Sequence, residues 1–206
     1  MARNIPKPSN PYTGTEEVVR QSLYDFQAYA AAGQTSLSFF QVPVGQSSKT
    51  KADTNMVIAG SLPTPQKFMI QSIEIHFWPG GDISQFGAQA AAEYLNDIHD
   101  VGKGGFLELT VGSKTVLTEA PLLRFPPKTF EVYDAALTEG TTAAAASQSR
   151  IAYGRFGGKP YDVNPAQWLT SNVNFSVTLN WPAAVAIAAT GRIGVVLDGM
   201  LYRRAQ

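Results

Sequence analysis

Cysteine is absent from this 206-residue chain, and charge is scarce. Without thiols there is neither a disulfide framework nor a thiolate metal site, so secreted scaffolds stapled by bridges are excluded while the compartment stays open. Charged residues are 16% of the total, against roughly 25% in an ordinary soluble domain. Much of the surface must therefore be Ser, Thr, Asn, Gln, Ala and Gly, and such a skin resists self-association poorly. Sixteen basic residues balance sixteen acidic ones, which leaves no whole-chain field to draw in nucleic acid or an anionic membrane. Sequence-specific nucleic-acid binding is not expected. No run of eighteen apolar residues occurs, and the polar, Pro-rich opening stretch holds no signal-peptide core. The reading is a chain that neither spans a membrane nor leaves by the general export route.

Histidine is nearly missing too, with only His76 and His99. His76 alternates with Ile75 and Phe77 in a strand pattern, which turns it toward solvent or a subunit boundary. His99 stands in Asn96-Asp97-Ile98-His99-Asp100 near Glu93, a set able to hold a divalent ion but with the spacing of no known loop, so a polar helix end is preferred. There is no Gly-x-Ser-x-Gly elbow and no His-Glu-x-x-His pair. Residues 154–159 have the wrong glycine spacing for a phosphate loop, and Pro160 stands where Ser or Thr is needed. Glu74, Glu108, Glu119 and Glu131 lie on or near strand patterns, where alternation puts glutamates on outer faces without any catalytic pairing. No catalytic residue, metal or cofactor is assigned.

What is present is β patterning. The length fits one domain, divided into an N-terminal arm, residues 1–35, and a β domain, residues 36–206. Ile5-Pro6-Lys7-Pro8-Ser9-Asn10-Pro11 favours an extended arm. Thr13 with Glu16 reads as a capping box, and Val19, Leu23, Phe26 and Ala30 recur at helical spacing until Gly33, which predicts a helix over 15–32. Its Tyr24, Phe26 and Tyr29 would dock on the parent domain or on another subunit. Strands are expected at 36–42, 55–59 and 68–78, the last with a switch of apolar parity that places a bulge near Gln71-Ser72. A short helix carries Phe86, Ala90, Tyr94 and Ile98 inside a long connection, followed by a flexible turn at 102–105. Gly112-Ser113 joins 107–111 to 114–117 as a hairpin. A strand is expected at 129–133, a surface loop at 135–149, and further strands at 167–170, 173–181 and 192–202, ending in the basic pair Arg203-Arg204. Uneven strands and long crossings favour Greek-key connections, and hence an eight-stranded jelly-roll sandwich with the helical arm and the loop helix appended.

Three segments carry a resemblance: Asp53-Thr54-Asn55-Met56 with Gly60-Ser61-Leu62-Pro63, the hairpin Leu107-Glu108-Leu109-Thr110-Val111-Gly112-Ser113-Lys114, and Asn174-Phe175-Ser176-Val177 continued by Val195-Val196-Leu197-Asp198-Gly199. Their order across residues 36–204 resembles the single-jelly-roll major capsid proteins of tailless icosahedral bacteriophages. The resemblance implies two four-stranded sheets and a structural, non-enzymatic virion subunit, assembled in the host cytoplasm into capsomers and an icosahedral shell. Its partners would be copies of itself, other capsid proteins such as a penton or minor protein, and an internal lipid membrane where one is enclosed. Subunit contacts are expected from Tyr24, Phe26, Tyr29, Phe86, Tyr94, Arg203 and Arg204. The chain departs from the family in lacking a strongly basic arm and in being too short for a double jelly roll. A carbohydrate-binding or host-attachment sandwich is the alternative, with Trp78, Trp168 or Trp181 as stacking platforms. An enzyme of cupin or glycosidase type is a third reading and would need a metal or a carboxylate pair.

Overall fold

The computed structural model describes residues 16–81, 89–127, 131–139, 147–155 and 160–204, with backbone alone at 89–93, 95, 131–139 and 147–155. Its elements are β1 (Glu16–Tyr29), β2 (Ser36–Phe39), β3 (Lys67–Trp78), α1 (Gln89–Gly104), β4 (Phe106–Val111), β5 (Lys114–Glu119), β6 (Glu131–Glu139), β7 (Ser147–Arg155), β8 (Tyr161–Thr170), β9 (Phe175–Asn180) and β10 (Gly191–Arg204). The fold is mainly β, with two four-stranded antiparallel sheets in the manner of a sandwich. Sheet 1 has the order β1-β10-β3-β8, sheet 2 the order β2-β9-β4-β5, and β6 and β7 form a separate hairpin. Ten strands are therefore present among the described residues where eight were expected; β1 was not among the expected strands, and β6 overlaps the one expected at 129–133.

The pairing is nested. β1 pairs with β10, β2 with β9, β3 with β8 and β4 with β5, and two further ladders, β10 with β3 and β9 with β4, join these pairs side by side. Inward positions follow the period of two: Phe175, Val177 and Leu179 on β9 meet Ile193, Val195 and Leu197 on β10 in one buried cluster. On β3 the inward set is Phe68 and Ile70, then Ile73 and Ile75. Gly199 pairs with Ile70 and Asp198 with Ser72, so Gln71 is the extra residue of a bulge, at the position where the apolar parity changes. Gly112 turns the β4–β5 hairpin with φ +63°, a conformation that glycine adopts without a Cβ clash.

Connections gather at two ends. At one, Tyr29 Oη donates to Val185 O at 2.8 Å, Ile187 N to Ala31 O at 2.9 Å, Trp181 Nε1 to Val101 O at 2.9 Å and Ala188 N to Asp97 Oδ2 at 3.0 Å, so α1 and the loops 30–35 and 181–190 close on one another. At the other, Phe175 N donates to Gly60 O at 2.7 Å, Gly112 N to Asn174 O at 2.7 Å and Ser171 N to Gln66 O at 3.2 Å.

Four expectations are corrected. The stretch expected as a helical arm over 15–32 is strand β1 from Glu16 on, paired with β10 over its whole length. Its inward residues are Leu23, Asp25 and Tyr29, and the polar Asp25 in that series breaks the apolar alternation by which a strand is recognised. Residues 55–59 make no strand. They lie in a loop touching strand-like geometry only at the isolated bridges Asp25–Thr54 and Ile58–Ser61. The turn expected at 102–105 is largely helix, because α1 runs on to Gly104 with Val101 buried against the sandwich. Of the loop expected at 135–149, residues 135–139 and 147–149 are strand, with Ala135 opposite Ile151 and Glu139 opposite Ser147; two arms that satisfy each other's backbone groups pair without strong apolar alternation. The Pro-rich opening, the cap at Thr13, the residues before Glu131 in the expected 129–133 strand, and residues 140–146 of the expected loop lie outside the described residues.

Candidate functional site

Sheet 1 presents its outward face through alternate residues of β1, β10 and β3. In register across it stand Tyr24, Val196 and Glu74, then Phe26, Gly194 and His76, then Ala28, Arg192 and Trp78. Any side chain at Gly194 would overlap the Phe26 ring, so glycine there lets the aromatic lie flat across the sheet. Phe26 stacks on Trp78 with centroids 5.1 Å apart and planes at 20°, and His76 meets Phe26 edge-on at 6.2 Å. The Arg192 guanidinium sits 4.9 Å from the Phe26 centroid and 5.5 Å from that of Trp78. It donates to Ala52 O at 2.9 Å and to Asp53 Oδ1 at 2.7 Å. Hydrogen bonds from the Thr50 amide and hydroxyl hold the Asp53 carboxyl below its ordinary range, which keeps the anion that Arg192 pairs with. His76 Nε2 lies 3.2 Å from Glu74 Oε2, and both are largely enclosed.

This arrangement stacks and braces. Among the described residues no group of three or more His, Asp or Glu side chains gathers as a metal ligand set would. Asp97 is engaged as the acceptor for Ala188 N, while His99 and Asp100 form an exposed pair at 3.5 Å. Glu108 accepts from Asn180 Nδ2 at 2.8 Å, and Glu119 accepts from Tyr161 Oη at 2.7 Å and from Arg124. The side chains of Glu93 and Glu131 lie outside the described residues.

The residues singled out for subunit contact scatter. Tyr24 is half-buried and donates through Oη to Lys51 O at 2.6 Å. Phe26 belongs to the stack just described. Tyr29 is wholly enclosed by its own chain, and burial pushes its phenol up. Phe86 lies outside the described residues. Tyr94 is half-buried on α1 with its ring against Gly81. Arg203 pairs with Glu17 at 2.8 Å beside a groove of about 200 Å³ whose apolar lining includes Leu23, Met56, Leu62 and Leu201. Arg204 is exposed at the end of β10, opposite Glu16. Of the tryptophans, Trp181 is buried and Trp78 is packed in the stack, which leaves Trp168 as the exposed one.

Two groups escaped the sequence reading. Arg192 gave no signal beyond being one basic residue at a strand start. Asp25 is fully buried on β1, and with it goes Lys49, whose Nζ donates to Asp25 Oδ1 while Phe40 N donates to Oδ2 at 2.6 Å. Reading 16–29 with period two would have put Asp25 on the core side and exposed its need for a cation. Comparison of the chain with family models, with curated proteins and with solved structures finds no match.

Proposed function

We propose that this chain is a capsid subunit, a single jelly roll that builds capsomers and an icosahedral shell by association with copies of itself. The observation that carries this reading is the nested pairing. With the β6–β7 hairpin set aside, the eight sandwich strands pair first with last, second with seventh, third with sixth and fourth with fifth. One long antiparallel ribbon rolled across two sheets gives that order, and it is the order of two Greek keys in a jelly roll. A fold of this kind serves many functions, so the assembly part rests on the surface. Low charge and zero net charge favour a molecule that works by being covered.

The elaborated end, with α1 and the loops 30–35 and 181–190, supplies a shaped surface for a neighbour. A contact of about 1,200–2,000 Å² suffices for specific pairing, and a closed shell repeats it many times. Partners in this reading are sister subunits, a penton or minor capsid protein at the vertices, and a lipid layer where the shell encloses one; its place is the virion. Electron micrographs of the purified protein, with light scattering over a concentration series, test it. Rings or shells are expected. A strictly monomeric particle at the highest concentration reached overturns the proposal.

A further inference from the structure

Trp168 is 45% exposed, and it is the only aromatic among the large apolar side chains that stand out from the described surface, the others being Val57, Ile58, Val116 and Leu123. It sits on β8 opposite Met69, one step from Thr170, which faces Lys67 and through it Tyr202. The inward neighbours Leu169, Phe68 and Leu201 are buried, so alternation turns Trp168, Thr170, Lys67 and Tyr202 to the outer side of sheet 1. The indole leans on the Tyr202 ring, with centroids 5.1 Å apart and planes at 48°. Beside them Lys67 Nζ meets Glu16 Oε1 at 3.3 Å, each side chain about half exposed at 48% and 49%. Burial, and secondly the Glu16 carboxylate, push the Tyr202 phenol up, in keeping with a neutral hydroxyl at this corner.

We infer that this corner of sheet 1 is a carbohydrate site, taking a neutral β-linked hexopyranose of gluco or galacto configuration. Such a ring has an apolar C–H face and a rim of hydroxyls, all equatorial in the gluco ring and with the 4-hydroxyl axial in the galacto ring. The C–H face stacks on the exposed indole, whose orientation Tyr202 fixes in advance, so little side-chain freedom is lost on binding. At the rim the Lys67 ammonium donates to a sugar oxygen and the Glu16 carboxylate accepts from a hydroxyl, replacing water bond for bond. An apolar protein partner would instead strip water from the ion pair without replacing it. A phosphate-bearing ligand would find one anion for each cation at the pair. The inference stands apart from the assembly reading, since a monomer binds sugar as well as a shell does.

The test is intrinsic fluorescence and calorimetry on the full chain titrated with lactose, cellobiose, chitobiose and mannobiose. Trp181 is buried and Trp78 is stacked, so a solvent-sensitive response reports Trp168. A saturable shift with at least one of the first three sugars is expected, with affinity at least about tenfold weaker in Trp168→Ala and clearly weaker in Lys67→Met, while the melting temperatures stay near that of the parent. Absence of saturation by about 50 mM sugar, or calorimetric binding unchanged in Trp168→Ala, overturns the assignment.

Discussion

A carboxylate on the core side of a strand needs a cation within reach, and Asp25 has one in Lys49. The Asp25 side chain is 1% exposed and that of Lys49 13%. Burial is the leading influence on Asp25 and raises its pKa, with the Lys49 and Phe40 hydrogen bonds opposing it only in part. The folded state thus keeps this proton to higher pH than the unfolded chain does, so the group's contribution to stability falls as pH rises from the ordinary carboxylate range toward the raised folded value. Asp25→Asn should flatten that part of the stability–pH curve, as read by urea unfolding between pH 4 and pH 7; a curve of unchanged slope would place the titration elsewhere. Lys49→Met leaves the carboxylate buried beside a hydrocarbon and should cost about 3–5 kcal/mol at neutral pH, and a loss below about 1 kcal/mol would mean that water reaches Asp25. None of this was legible from composition. A lone Asp between Tyr24 and Phe26 looks like any surface acid until the strand's facing is known, and the helical spacing of Val19, Leu23, Phe26 and Ala30 concealed that facing.

Strands whose inward residues are all apolar were readable as elements, and β9 and β10 are examples. The bulge in β3 was readable as well, because a two-residue period cannot change phase without an extra residue. Less legible were elements shaped by partners distant in sequence. β1 is recognisable from its ladder with β10, and the 50–56 segment from its service to β1: Asn55 accepts from Tyr24 N at 3.1 Å and donates to Ser22 O at 2.8 Å, standing in for the strand that β1 lacks on that side. The bulge gives a sharp element-scale test. Gln71→Ala changes only a partly exposed side chain and should shift stability by less than about 0.5 kcal/mol. Deleting Gln71 removes the phase change, so that either Phe68 and Ile70 or Ile73 and Ile75 must turn outward. The deletion variant should show no cooperative melt and poorly dispersed amide resonances. A deletion variant as stable as the parent would mean that the bulge migrates freely along β3.

Across the whole molecule, the four edges of the two sandwich sheets are each guarded. β1 is covered by the 50–56 segment, and β8 carries Pro165 within residues 163–166, which have no partner on β3. On sheet 2, β2 is four residues long, and β5 starts with Lys114 and holds Val116 as an extra residue against β4. These are the devices by which sandwiches avoid adding strands edge to edge, so the sandwich sheets in the proposed assembly would associate through faces and ends. Among the described residues several surface arginines have a carboxylate partner within the same chain: Arg203 with Glu17, Arg192 with Asp53, Arg124 with Glu119 and Arg20 with Asp198. With these arginines paired within the subunit and a net charge of zero, contacts between copies in the proposed assembly would draw chiefly on apolar burial. Such contacts neither weaken when salt screens charge nor strengthen on cooling. Sedimentation velocity at 50 and 500 mM NaCl should therefore give association constants that agree within about twofold, or rise with salt, and association should weaken between 25 and 5 °C. Dissociation of the assembly by 500 mM NaCl would instead locate its strength in ion pairs between subunits, contrary to the internal pairing of these arginines.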